Sequence, residues 1–213
     1  MPIWGERRLT WRQILPPAAV AVAIVAVGLA IRHYRALSNP GFVRRREEFR
    51  FYMARLHNAE PSTRAAAARL LGEVGDPRAV PEIRKLLSDD DPRVVGAACA
   101  ALGKLGDTDS AAKLLENLDS NDPAIVAGAV EGLGELGASD AAPRILPLLD
   151  SPEKDVRLAA IVALGKLGDT TALDALEKLR STPWEGLDDN LTDDERERFQ
   201  GALEAAIAQL SQK

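Results

Sequence analysis

Between residues 61 and 180 the chain has no aromatic residue and no histidine. Its two histidines, His33 and His57, both come earlier, and its only cysteine is Cys99. One cysteine excludes an intramolecular disulfide and a cysteine-based zinc site. A zinc or di-iron centre needs clustered His, Cys or carboxylates, and the body beyond residue 60 has no histidine and so no His-Glu pair at helical spacing. No glycine-rich phosphate loop is present either, because the recurring Gly-x-x-Gly pairs fall at the ends of helical patterns. The stretch from Ile14 to Ile31 lacks any charged residue.

Charge is scarce in one sense only. The net charge of -5 over 213 residues hides a split. Residues 1–60 hold ten Lys/Arg against four Asp/Glu, and the remainder holds 17 against 28. Seven of the nine aromatics also precede residue 60. A basic, aromatic head thus leads into an acidic body rich in alanine and leucine. Such a body repels phosphates, so nucleic-acid binding is not expected.

The uncharged stretch 14–31 reads as a transmembrane helix. Eighteen residues at ~1.5 Å rise give roughly 27 Å, close to the hydrocarbon thickness of a bilayer. Pro16 and Pro17 stand at its start, where a helix tolerates them. Trp4 and Trp11 flank one end and Tyr34 the other, as interfacial belts do. The flank after Ala30 carries Arg32, Arg35, Arg44, Arg45, Arg46 and Arg50. By the positive-inside bias this predicts a single-pass anchor, N-terminus outside and body cytoplasmic. A cleavable signal peptide competes, since Arg7, Arg8 and Arg12 resemble its basic region and Gly28-Leu29-Ala30 a cleavage site. Residues 32–60 form a basic connector, with a helix expected over Phe42–Asn58. Arg44, Arg45, Arg46 and Arg50 there are candidates for contact with anionic lipid headgroups. The same helix would also serve as a cap on a repeat array.

Residues 61–180 repeat. Leu71-Gly72-Glu73-Val74-Gly75-Asp76 returns as Leu102-Gly103-Lys104-Leu105-Gly106-Asp107, as Leu133-Gly134-Glu135-Leu136-Gly137 and as Leu164-Gly165-Lys166-Leu167-Gly168-Asp169. The leading glycines are 31 residues apart each time, the mark of a stacked array. Within one unit, Asp91-Pro92 reads as a helix start. Val94, Ala98, Ala101, Leu102 and Leu105 follow at helical spacing, and Gly106 stops the helix. Asp107 then reads as the cap of a second helix bearing Ala111, Leu114 and Leu118. Four columns run through the units: Ala67, Ala98, Ala129 and Ala160; Leu71, Leu102, Leu133 and Leu164; Ile83, Leu114, Ile145 and Leu176; Ala68, Cys99, Val130 and Ile161. Cys99 therefore occupies a packing position. After a loop at 181–191, Thr192-Asp193-Asp194-Glu195 reads as a capping box. The last helix would close the array with Phe199, Leu203, Ala206, Ile207 and Leu210.

Asp-Pro before the first helix, Asp155-Val156-Arg157, the Leu-Gly-x-Leu/Val-Gly-Asp signature and Ala79-Val80-Pro81-Glu82-Ile83 resemble HEAT-like repeats of the short kind. The resemblance implies an all-α fold, an α-solenoid of helix pairs, preceded here by the transmembrane helix. Short units of this type are also found in bilin lyases and deoxyhypusine hydroxylases. The chain then divides into a flank (1–13), an anchor (14–31), a connector (32–60), four repeats (61–180) and a closing segment (181–213).

The expected function is a membrane-anchored scaffold or adaptor for a protein partner, without catalysis and without a cofactor. An accessory or assembly subunit of a larger membrane complex is one form of it. By resemblance to HEAT proteins, the second helix of each unit lines the concave surface. That makes Arg84, Leu115, Leu146 and Glu177 candidate partner-binding residues, although Leu115 and Leu146 also suit packing between repeats. Trp184, in the 181–191 loop, is a second candidate, since loop positions and tryptophan favour binding. Two other readings stand beside this one: an enzyme or enzyme-activating factor of the bilin-lyase type, and a secreted or periplasmic binding module.

Overall fold

The computed structural model describes residues 40–181 and 191–212, with side chains from Arg46 onward. The apolar stretch 14–31, the side chains of Arg44 and Arg45, and Trp184 lie outside the described residues. Among those residues every regular element is helical, and no helix is long and apolar enough to cross a membrane. The chain divides into two units, Met1–Glu48 and Phe49–Lys213. Of the first, only the start of helix α1 is described. The second holds the array.

Helix α1 spans Pro40–Arg55, shorter at its end than the expected Phe42–Asn58. Leu56, just beyond it, is buried, and Phe49, Tyr52 and Met53 pack against the first repeat's core beside it. Residues 49–56 thus cap the open end of the array, which would otherwise expose the apolar face of unit one.

The first helices of the units are α2 (Pro61–Val74), α4 (Pro92–Lys104), α6 (Pro123–Leu136) and α8 (Lys154–Leu167). Proline opens α2, α4 and α6, where its missing N–H has no intrahelical acceptor. The Asp91 and Asp122 carboxylates accept from the backbone N–H of Arg93 and Ala124, each at 2.9 Å. Each such cap contributes about 1 kcal/mol. The signature's second glycine ends the helix: Gly75, Gly106, Gly137 and Gly168 have φ of 70°, 71°, 67° and 71°. A side chain would be strained there.

The second helices are α3 (Val80–Lys85), α5 (Ala111–Asn117), α7 (Ala142–Ile145) and α9 (Leu173–Ser181). Each is entered through a 3-10 turn: Pro77–Ala79, Thr108–Ser110, Ser139–Ala141 and Thr170–Ala172. They are shorter than the single continuous helix the sequence suggests. In the third unit Pro147 removes a donor, and the chain continues as a 3-10 stretch, Leu146–Asp150. Asp76 and Asp169 cap these turns, accepting from Arg78 N at 3.0 Å and Thr171 N at 2.9 Å. Asp107 does not, contrary to expectation. Its carboxylate is taken by the Arg84 guanidinium and by the Ser110 hydroxyl at 2.6 Å.

Helix α10 (Asp193–Ser211) closes the far end with Phe199, Leu203, Ala206, Ile207 and Leu210 buried. Its capping box forms: Glu195 N–H donates to the Thr192 hydroxyl at 3.3 Å, and Thr192 N–H to the Glu195 carboxylate at 2.9 Å. The alanine, leucine and isoleucine/leucine columns are all at most 1% exposed. Burying each large member contributes about 1.5–3 kcal/mol. They form two clusters, one running from Leu56 to Leu102 and the other from Val95 to Leu210.

Candidate protein-binding groove

The most extensive helix contacts run between successive first helices, α2 to α4, α4 to α6 and α6 to α8. Small residues make this possible. A Cβ added at Gly96 would lie 2.2 Å from the Ala124 carbonyl oxygen, and one at Gly128 would lie 2.1 Å from that of Gly96. Helices α4 and α6 therefore touch backbone to backbone. Every residue of α4 from Val94 to Gly103 is buried. With α4 sunk between its neighbours, α2 and α6 meet above it. Arg69 of α2 reaches Glu131 of α6 at 3.7 Å, two repeats along the array.

A groove of about 740 Å3 opens on this first-helix face. One wall is Ala65 and Arg69 of α2. The floor is Ala124, Ala127 and Gly128 of α6. The other wall is α8, through Asp155, Leu158, Ala159, Val162 and Lys166. These α8 residues follow the i, i+3, i+4, i+7, i+11 pattern of one helical face. Val162 is 37% exposed, one of the few large apolar side chains that face water.

Ion pairs step along the same face. Lys104 lies 2.6 Å from Glu73 and 3.2 Å from Glu131, and Lys166 lies 2.7 Å from Glu135. Positions 73, 104, 135 and 166 are one 31-residue column whose sign alternates along the chain. Hydrogen bonding to Lys104 holds the Glu73 carboxyl below its ordinary range, and that same bond pushes the Lys104 ammonium up. At the helix starts, Arg93 is held by Asp91 at 2.7 Å. The Asp91 carboxyl is pushed down to about 2, chiefly by that hydrogen bond.

The residues singled out from sequence lie elsewhere. Arg84 is exposed on α3 and bridges to the second unit, bonding Asp107 and, at 3.0 Å, Asp109. Its guanidinium is raised, first by the Asp107 hydrogen bond. Leu115 on α5 and Leu146 at the end of α7 are half-buried against the core. Glu177 is exposed on α9. None of the four lines the groove, which belongs to the first helices. Arg46 and Arg50 of α1 are exposed.

Cys99 is fully buried, and burial pushes its thiol up to about 11. The Asn117 amide donates to its sulfur at 3.2 Å. This is an unreactive packing thiol. Among the described residues no group of His, Cys, Asp and Glu is arranged to hold a metal ion.

A family described as HEAT repeats matches residues 50–129 and 112–208. No curated protein matches the chain in sequence. Among solved structures, it is similar to a chain from the complex of CpcE and CpcF of phycocyanin lyase from Nostoc sp. PCC7120, with 25% identity and a TM-score of 0.56. That likeness covers 95% of this chain and 80% of that one. Human deoxyhypusine hydroxylase in complex with glycerol is matched at 16% identity and a TM-score of 0.39, over 89% of this chain and 91% of that one.

Proposed function

Because the chain belongs to the HEAT repeat family, we propose that it is a scaffold whose first-helix groove holds a protein partner beside a membrane. HEAT-type repeats commonly mediate protein–protein interaction, and such arrays offer extended concave surfaces. The observation that carries the reading is the groove itself, about 740 Å3, built by the first helices with a floor of alanine and glycine. Small floor residues accept bulky side chains from outside, and ion pairs already formed on the rim fix the walls. In this reading the uncharged stretch 14–31 is a single-pass anchor with the repeats on the cytoplasmic side. The exposed Arg46 and Arg50 face anionic headgroups. Anchoring raises the partner's effective concentration at the surface. The protein is then an accessory or assembly factor, and it catalyses nothing itself.

The likeness to the phycocyanin lyase complex favours a second reading, an enzyme or enzyme-activating factor acting on a pigment-bearing protein. Solubilising the full-length protein from its native membranes in mild detergent separates the two. A stoichiometric protein companion supports the scaffold. A monomer carrying a bound pigment or other small molecule supports the second reading and removes the first.

A further inference from the structure

Most charges around the groove are matched within the chain. Arg69 meets Glu131, Glu131 also meets Lys104, Glu135 meets Lys166, and Arg93 meets Asp91. Two lining carboxylates are left over. Glu153 and Asp155, at the start of α8, are exposed and form no ion pair or side-chain hydrogen bond among the described residues. Lys154 and Arg157 act on Asp155 and Glu153 only through space, and direct their hydrogen bonds elsewhere. Lys154 bonds Glu195 at 2.5 Å, and Arg157 is buried and donates to the carbonyls of Ser151 and Pro152 at 2.6 and 3.0 Å.

Helix capping does not use these carboxylates either. Asp91 and Asp122 spend their side chains capping α4 and α6, but Glu153, at the same position of α8, makes no side-chain cap. Along the groove wall this excess negative charge runs directly into the apolar Leu158, Ala159 and Val162, with Ala127 and Gly128 opposite. The groove is therefore polarised, acidic at one end and apolar along its middle. An occupant needs complementary chemistry in the same order.

We infer that the groove takes a protein segment bearing a bulky apolar side chain and, beside it, a lysine or arginine. The apolar group sits over Leu158, Ala127 and Val162, and the cation meets Glu153 and Asp155. From the helical rise, the two anchors lie about 5–14 Å apart, three to nine positions along the start of α8. The cation sets orientation and partner choice, because rim charges govern specificity and association rate more than affinity. This inference rests on the scaffold reading above and adds the identity of the partner's contact residues.

The test is a random peptide library displayed on phage, panned against the detergent-solubilised full chain. The same library is panned against Val162→Arg and against the double variant Glu153→Gln plus Asp155→Asn, which keeps side-chain shape. Circular dichroism checks that each variant remains helical. The inference expects wild-type protein to enrich peptides with Lys or Arg next to a large apolar residue. It expects a synthetic peptide from that pool to bind the double variant about three- to tenfold more weakly and with less salt dependence. Val162→Arg should lose the peptides altogether. Enrichment without a basic preference, or an equal basic preference in the double variant, overturns the inference. The scaffold reading survives that outcome as long as Val162→Arg still abolishes binding. If no peptide is enriched on wild-type protein, both fall.

Discussion

Arg69 and Glu131 belong to repeats one and three, yet their side chains meet at 3.7 Å across the buried helix α4. The pair marks how far the first-helix layer closes in on itself. It is a consequence of that closure, not its cause, since exposed ion pairs contribute only about 0–1 kcal/mol. The cause is the backbone contact between α4 and α6.

Gly128→Ala should therefore be costly. Its Cβ would lie 2.1 Å from the Gly96 carbonyl oxygen, a backbone atom that cannot move alone. Overpacking of this kind costs about 1–3 kcal/mol or more. Gly201→Ala in α10 is the control, because a Cβ there meets nothing within 4 Å. It should gain about 0.5–1 kcal/mol from helix propensity. Urea unfolding of the two variants in detergent checks the contrast.

Leu115→Asp plus Leu146→Asp tests the surface first suggested by the sequence. Both leucines are half-buried against the core, so the double variant should lose stability. A large drop in thermal midpoint is expected, from burying charge where apolar contact stood. An unchanged midpoint with lost partner binding would return these residues to the binding surface.

Cys99 should report global unfolding. With the thiol buried and raised to about 11, a disulfide reagent at pH 8 should label it only as the chain unfolds. Labelling rates that track the denaturant transition confirm this. Rapid labelling of native protein would contradict the packing assignment.

Acid should loosen the closing helix. The Lys154 hydrogen bond, with help from the Thr192 backbone, pushes the Glu195 carboxyl from 4.5 to about 2. A depressed carboxyl stabilises the fold fully above its unfolded value and loses that contribution as pH falls toward the folded one. Wild-type stability should thus decline between about pH 4.5 and 2. Glu195→Gln should be less stable at neutral pH and flatter across this window. Asp91 contributes the same sign, so the variant's curve keeps some slope.

Much of the fold is legible in the sequence because 31-residue columns of alanine and leucine report burial directly. Leu71, Leu102, Leu133 and Leu164 are all fully buried. Gly106 and its counterparts end helices as their positions imply. The second helices are harder. Pro147 breaks one, and Asp107 is drawn from its cap by Arg84, a partner 23 residues away. The groove's face was not readable at all from one unit. It depends on which layer curves inward, and that follows from close approach between first helices, at Gly96 and Gly128 outside the repeating signature and at its leading glycines, Gly72, Gly103 and Gly134. Beside those glycines, the available signal was the alternating column Glu73, Lys104, Glu135 and Lys166, whose two ion pairs join neighbouring first helices.

The most direct test of the groove as a protein-binding site is photo-crosslinking from within it. A benzophenone amino acid replaces Val162 in the full-length protein, and in a second version replaces Glu116, exposed on α5. Irradiation is done in native membranes. The account predicts one discrete crosslinked protein from position 162 and none from 116. A discrete product from 116 alone, or none from either site, would contradict it.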